Sequence, residues 1–84
     1  MKILLVEDDK PLASTLKQAL NQAGYATELS HDGIDAEFLG NEEPFDAVVL
    51  DLGLPGRSGL EVLDHWRAQG NHTPVLILTA RDSW

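Results

Sequence analysis

Three short runs of uninterrupted apolar residues constrain the fold of this chain more than any other feature. The runs are Ile3–Val6, Ala47–Leu50 and Val75–Leu78. Each has the length of a strand, and a strand that is apolar on both faces is typical of a parallel sheet with helices on both sides. Between the runs, apolar residues recur at three- and four-residue spacing, which predicts helices.

The predicted elements alternate in the order β-α-β-α-β-α-β. Right-handed crossovers between parallel strands then give an open, doubly wound α/β sheet. In the third helix, which opens at Gly59, we expect Leu60, Val62, Leu63 and Trp66 to face inward. The other predicted elements are a helix from Pro11 to Gly24, a weaker strand Tyr25–Leu29, a short helix from its cap Asp32 to Gly40 that carries Ile34, Phe38 and Leu39, and a polar turn Asn41–Pro44.

Composition and charge exclude several classes of function. The chain has 84 residues, enough for one small domain, and a net charge of −8 from 14 acidic and 6 basic residues. This charge disfavours direct binding to nucleic acid or to an anionic membrane. Cysteine is absent, which fits a reducing compartment. The segment MKILLVEDD is not a signal peptide, and no apolar run could span a bilayer. We therefore expect a cytoplasmic protein.

Polar side chains follow three of the predicted strands. In an open parallel sheet, ligands bind beyond the carboxyl ends of the strands, so these side chains are expected to converge. Clustered carboxylates repel one another, and Mg²⁺, which prefers oxygen ligands, removes that repulsion. The absence of histidine and cysteine from the cluster argues against Zn²⁺. The residues at the strand ends are Glu7, Asp8 and Asp9, then Asp51, then Thr79 and Ala80.

We expect Asp8, Asp9 and Asp51 to bind Mg²⁺, with a backbone carbonyl from the loop near Gly53 as a further ligand. Structural roles remain open for some of these residues. Asp9 stands where it could cap the first helix, Asp8 could be an ordinary loop acid, and Thr79 could be a simple strand-end hydroxyl. Asp51 is harder to explain by packing, because an acid at the end of an apolar strand is costly to bury.

Three motifs make the chain resemble the receiver domain of bacterial two-component response regulators. They are ILLVEDD (3–9), VVLDLGLPGRSG (48–59) and PVLILTARD (74–82). The run LTARD is most similar to the OmpR/PhoB-type transcription regulators, and within them to the QseB/PmrA-like group. The resemblance implies a flavodoxin-like (CheY-like) fold and a role in phosphorelay signalling that ends in transcription regulation.

The resemblance also implies roles for individual residues. Asp51 would accept a phosphoryl group from a sensor histidine kinase, making the chain a phosphoacceptor that takes part in its own phosphotransfer rather than an enzyme. Asp8 and Asp9 would be the Mg²⁺-binding acid pair, and the Gly53 carbonyl would complete the protein ligands. Thr79 and Ala80 would be, respectively, the switch hydroxyl and the small residue that leaves access to the aspartate.

Residues 1–84 would represent only the N-terminal portion of such a domain. The family's fifth strand with its lysine and aromatic residue, and its last two helices, have no counterpart in this sequence. The fourth strand would then lie uncovered at the sheet edge, where pairing with a second copy is expected to give a homodimer. A DNA-binding output domain would also lie outside this chain.

Two other classes of function compete with the phosphoacceptor. A metal-dependent phosphatase of the haloacid-dehalogenase type would carry a second acid two residues after Asp51, but Gly53 stands there. A degenerate receiver would act only as an interaction or dimerisation module. The aspartates and Thr79 argue against that alternative for a complete domain, whereas the missing lysine favours it for these 84 residues.

Overall fold

The computed structural model describes residues 1–78 and confirms the predicted alternation of strands and helices. Among these residues, no helix has the length and apolar character required to cross a membrane. The elements are β1 (Lys2–Val6), α1 (Lys10–Gln22), β2 (Ala26–Ser30), α2 (Gly33–Glu42), β3 (Ala47–Asp51), α3 (Gly59–Ala68) and β4 (Val75–Leu78).

All four strands are parallel and lie in the order β2-β1-β3-β4. The chain therefore crosses from β2 at one edge, past β1, to β3, and this change of direction opens a crevice beyond the ends of β1 and β3. The register pairs Val6 with Leu50, so the residues that follow β1 lie beside the end of β3. The sheet thus brings the runs Ile3–Val6 and Ala47–Leu50 together at its centre.

The main core lies between the sheet and the helices α2 and α3. Strand side chains alternate between the two faces, and Leu4, Val6 and Leu50 pack on this side with Val62 and Trp66 of α3. All five side chains are at most 1% exposed. Helix α1 packs against β1 and β2 and buries Ala13. The sheet is therefore covered on both faces, as predicted from its apolar strands.

Several helical positions differ from the sequence prediction. Leu60, predicted to face inward, is 58% exposed. Helix α3 buries Gly59, Val62 and Trp66, and Leu60 lies about a third of a turn around the helix from that stripe. On α2, Ile34 and Phe38 are also largely exposed. Packing of α2 uses instead its small residues, Ala36 among them.

The predicted boundaries also shift in two places. Helix α2 continues through Gly40 and Asn41 to Glu42, where the sequence predicts a turn, because Gly40 packs against the Trp66 ring and does not end the helix. Strand β2 lies one residue later than predicted, at Ala26–Ser30.

Strand β4 forms the edge of the sheet within residues 1–78. It pairs with β3 on one side, and no other strand of the described region pairs with it. Leu76 is 66% exposed and Ile77 is 39% exposed. This run, whose composition predicts a buried strand, therefore presents apolar side chains to solvent.

Candidate functional site

Three carboxylates meet where β1 and β3 end. Asp51 is the last residue of β3, and Glu7 and Asp8 directly follow β1. Because Val6 is in register with Leu50, Glu7 is the positional counterpart of Asp51 on the neighbouring strand. One carboxylate oxygen from each of the three residues lies within 4.8 Å of the others. We refer to Glu7, Asp8 and Asp51 as the acidic cluster.

The three acids differ sharply in exposure. Glu7 is 2% exposed and Asp51 is 6% exposed, whereas Asp8 is open to solvent. Glu7 Oε2 accepts a hydrogen bond from the backbone N–H of Asp9 at 3.1 Å. Glu7 Oε1 is buried and has no hydrogen-bond partner. A buried carboxylate oxygen without a partner is costly, so this atom marks a position where a cation would be stabilised.

The electrostatic state of Glu7 reflects this environment. Burial raises the pKa of Glu7 to about 7. The hydrogen bond from the Asp9 N–H opposes the rise, while the carboxylates of Asp51 and Asp8 add to it. A proton therefore competes for the position that a divalent cation would occupy, since either one relieves the repulsion between the acids.

Asp9 does not join the acidic cluster. The sequence predicts it among the metal ligands, but its side chain caps α1, and Oδ1 accepts a hydrogen bond from Leu12 N–H at 3.1 Å. The first free N–H groups of a helix need such an acceptor. The structure brings Glu7, and not Asp9, together with Asp8 and Asp51. The signal that identifies Glu7 is the sheet register, which the sequence alone does not display.

The remaining predicted site residues fall at the end of β3 and beyond β4. The backbone N–H of Gly53 donates to Asp51 Oδ1 at 3.3 Å, so the loop after β3 turns back on the carboxylate. The position of a Cβ on Gly53 would be free of other atoms within 4 Å, which leaves its backbone accessible. Thr79 and Ala80 lie outside the described residues.

Residues at the end of β2 contact the backbone of Glu7, a member of the acidic cluster. The backbone N–H of Glu7 donates to the Ser30 carbonyl at 3.0 Å. His31 Nδ1 lies 2.8 Å from the Glu7 carbonyl oxygen, which can only accept, so this nitrogen carries the proton. The polar neighbours of His31 in the sequence predict a solvated side chain, but it is half-buried and holds the backbone of Glu7.

Comparison with known proteins identifies the family. The sequence profile of the response regulator receiver domain matches residues 3–84. The chain belongs to the response regulator receiver domain family. This receiver domain is 44% identical over 84 residues to the response regulator MprA of Mycobacterium avium, an alignment that covers 99% of the chain and 36% of MprA. The chain thus spans little more than a third of the length of that relative.

Solved receiver domains have the same fold. The receiver domain of the sensor histidine kinase PA1611 of Pseudomonas aeruginosa, described with a magnesium ion coordinated in its active-site cleft, aligns with a TM-score of 0.92 and 33% identity, covering 98% of this chain and 69% of that one. The response regulator TrrA of Thermotoga maritima, in complex with Mg²⁺-BeF, aligns with a TM-score of 0.90 and 32% identity, covering 96% and 70%. These likenesses confirm the predicted receiver fold.

Proposed function

We propose that Asp51 is the phosphoacceptor of this receiver domain and that its phosphoryl donor is the phosphohistidine of a sensor histidine kinase. The observation that carries the proposal is the acidic cluster, in which Asp51 ends a central strand beside two further carboxylates. An Asp51 oxygen attacks phosphorus, the phosphorus–nitrogen bond breaks, and an acyl phosphate forms. The domain takes part in its own phosphotransfer and is not an enzyme acting on a separate substrate.

Glu7, Asp8 and Asp51 would hold the Mg²⁺, with the Gly53 carbonyl as a fourth protein ligand. All these donors are oxygens, as Mg²⁺ requires, and the unpartnered Glu7 Oε1 is a buried atom that a cation would satisfy. The ion, when bound, neutralises negative charge on the acids and on the incoming phosphoryl group. The magnesium described for PA1611 and TrrA supports this assignment.

Residues of the chain also hold the reacting carboxylate of Asp51 in position. The Gly53 N–H restrains one oxygen of Asp51, and burial of Glu7 and Asp51 keeps water away from the inner side of the cluster. Because phosphoryl transfer depends mainly on positioning and electrostatics, these restraints are useful to the reaction. Thr79 and Ala80 retain the proposed roles of switch hydroxyl and small neighbour.

The output and location are further proposals. Similarity to MprA supports an OmpR-type regulator in which a DNA-binding part of a longer protein controls transcription; the narrower likeness to the QseB/PmrA-like group remains a prediction. Residues 1–84 would then be the N-terminal portion of the receiver domain. The net charge of −8 argues against direct nucleic-acid binding by these residues. Absence of cysteine suits a reducing cytoplasm.

A second candidate function is supported by β4. Its exposed Leu76 and Ile77 stand on an edge strand of the described sheet, and such an edge can pair with a second copy. In this alternative, the 84-residue chain acts as a dimerisation module without phosphotransfer.

Intact mass after incubation with acetyl phosphate and Mg²⁺ tests the proposal. Wild-type chain is compared with Asp51→Asn and with Asp64→Asn, which removes an exposed carboxylate on α3. We expect one phosphoryl adduct on the wild type and on Asp64→Asn, and none on Asp51→Asn. A folded wild type that gains no adduct would favour the interaction module, and an adduct on Asp51→Asn would refute the assignment of the phosphoacceptor.

A further inference from the structure

Gly33 occupies a position that neither its helix nor its backbone conformation explains. It is the first residue of α2, with Asp32 as the cap. Glycine is a poor helix former, and Gly33 is not among the glycines with positive φ, which are Gly24, Gly56 and Gly70. A side chain would therefore be acceptable to the helix itself. The reason for a glycine at this position must lie in what packs against it.

The loop between β3 and α3 (residues 52–58, the β3–α3 loop) packs directly on Gly33. A Cβ at Gly33 would collide with the Arg57 carbonyl group, 2.7 Å from its carbon atom and closer still to its oxygen. The backbone N–H of Gly33 donates to the Pro55 carbonyl at 3.1 Å. These are backbone contacts, and a collision with backbone is not relieved by a side-chain rotation. The loop can therefore lie this close to α2 only because Gly33 has no side chain.

A second contact secures the same loop one helical turn further along α2. The Arg57 guanidinium forms an ion pair with Glu37, which is only 17% exposed. Burial works against ionisation of Glu37, but contacts with Arg57 and His65 outweigh it and hold the pKa of Glu37 below its ordinary value. The pair is therefore charged at neutral pH and ties the loop to α2 beside Gly33.

The first turn of α2 is in turn fixed to the acidic cluster. Ser30 Oγ donates to Asp35 Oδ2 at 2.8 Å, and the Ser30 carbonyl accepts from the backbone N–H of Glu7. His31 donates to the Glu7 carbonyl. A continuous series of direct contacts therefore joins the backbone of Glu7 to the start of α2, and the start of α2 to the β3–α3 loop.

We infer that Gly33 is a positioning residue of the proposed site, because the space left by its missing side chain seats the β3–α3 loop and so sets Asp51 and Gly53 relative to Glu7. The inference rests on the proposed function only where it concerns Mg²⁺. The geometric part of the inference, that Gly33 determines the position of the β3–α3 loop, does not depend on Mg²⁺ binding.

Gly40 provides a matched control on the same helix. A Cβ there would also collide with a neighbour, 2.6 Å from Trp66 Cε2, but that neighbour is a core ring and not the loop. Gly33→Ala and Gly40→Ala therefore make the same substitution in α2, each against a close contact. Both are expected to lower stability, and only Gly33→Ala is expected to disturb the site.

The test combines two measurements. Calorimetric titration gives the affinity for Mg²⁺, and backbone amide chemical shifts, recorded with a chelator present, report the metal-free structure. We expect Gly33→Ala to weaken Mg²⁺ binding about 10-fold or more, the scale seen when residues that orient metal ligands are changed, and to shift the Gly53 and Glu7 amide signals without metal. Gly40→Ala should leave both near wild type. Equal Mg²⁺ affinity and unmoved Gly53 and Glu7 signals in Gly33→Ala would overturn the inference.

Two further outcomes are decisive as well. If the wild type binds no Mg²⁺, the metal proposal fails, yet the amide shifts still test whether Gly33 positions the loop. If Gly33→Ala does not fold, a second variant replaces it. Glu37→Gln breaks the ion pair that holds the β3–α3 loop and introduces no collision. Its control is Glu42→Gln, at an exposed position of α2. Loop signals that move in Glu37→Gln alone support the inference, and identical spectra overturn it.

Discussion

Glu7 and Asp51 occupy equivalent positions on two adjacent parallel strands, because they directly follow Val6 and Leu50, which are in register with each other. Both side chains are nearly buried, and their carboxylate oxygens lie within 4.8 Å of each other. Two acids so placed cannot both remain ionised without cost. The pairing links metal binding, proton binding and stability at one point of the fold.

Removal of the Glu7 charge should weaken Mg²⁺ binding more than removal of any nearby charge outside the cluster. We expect Glu7→Gln to lower Mg²⁺ affinity at least about 10-fold, because it replaces one of the two carboxylate oxygens with an amide nitrogen and removes one negative charge. Asp9→Asn, which keeps a capping oxygen, should stay near wild type. Calorimetric titration at pH 8 measures both variants; comparable losses in the two would return Asp9 to the set of ligands.

The metal-free protein should lose stability as pH rises from about 4.5 to about 7. The folded-state pKa of Glu7 is about 7, above its ordinary value of 4.5, so in this window the folded state binds more protons than the unfolded state. The free energy of unfolding then falls with rising pH and levels off above 7. Urea unfolding in chelator at several pH values measures this. Glu7→Gln should remove this part of the pH dependence; parallel curves for the variant and the wild type would contradict the assignment.

Asp9→Ala should destabilise the chain by about 1 kcal/mol, the usual effect of losing a helix cap. The loss follows from the hydrogen bond that Asp9 Oδ1 accepts from Leu12 N–H. Mg²⁺ affinity, measured where the variant is still folded, should change little. Asp32→Ala, which removes the cap of α2, is the matched control for stability. An Asp9 variant with unchanged stability and lost Mg²⁺ binding would show that Asp9 is a metal ligand and not a cap.

Self-association of the 84-residue chain should depend on β4. Leu76→Lys places a charge on the exposed edge and should convert a dimer to a monomer. Leu60→Lys makes the same substitution on α3 at a similar exposure, 58% against 66%, and should leave association unchanged. Sedimentation over a range of concentrations measures the effect. A wild type that stays monomeric, or equal effects of both variants, would count against pairing through β4.

The place of Asp51 in the acidic cluster could be predicted from the sequence, because an acid directly after an apolar run is unusual in packing terms. The same rule applied to Ile3–Val6 points to Glu7, but three consecutive acids follow that run, and their local pattern does not say which of them faces β3. That choice depends on the register between β1 and β3 and on the need of α1 for a cap. Both are properties of the assembled fold.

The helices on the core side are harder to predict for a related reason. Glycine commonly ends helices, so the sequence predicts that α2 ends at Gly40. In the structure Gly40 allows the Trp66 ring to approach, while Trp66 Nε1 donates to the Glu37 carbonyl at 3.1 Å. Helix α2 thus packs through small residues and leaves Ile34 and Phe38 outside. Hydrophobicity alone does not reveal a contact face built from glycine and alanine.

The unequal exposure of the acidic cluster has a kinetic consequence. If the site binds Mg²⁺ as proposed, a cation arriving from solvent would meet Asp8 first, since Asp8 is the open member of the three, and it would lose water before it reached Glu7 and Asp51. The entry rate should therefore respond to ionic strength, because exposed charge attracts ions over a distance that salt shortens. The exit rate should respond instead to the buried pair. In the proposed site, Asp8 would then govern capture of the ion, and Glu7 and Asp51 its retention.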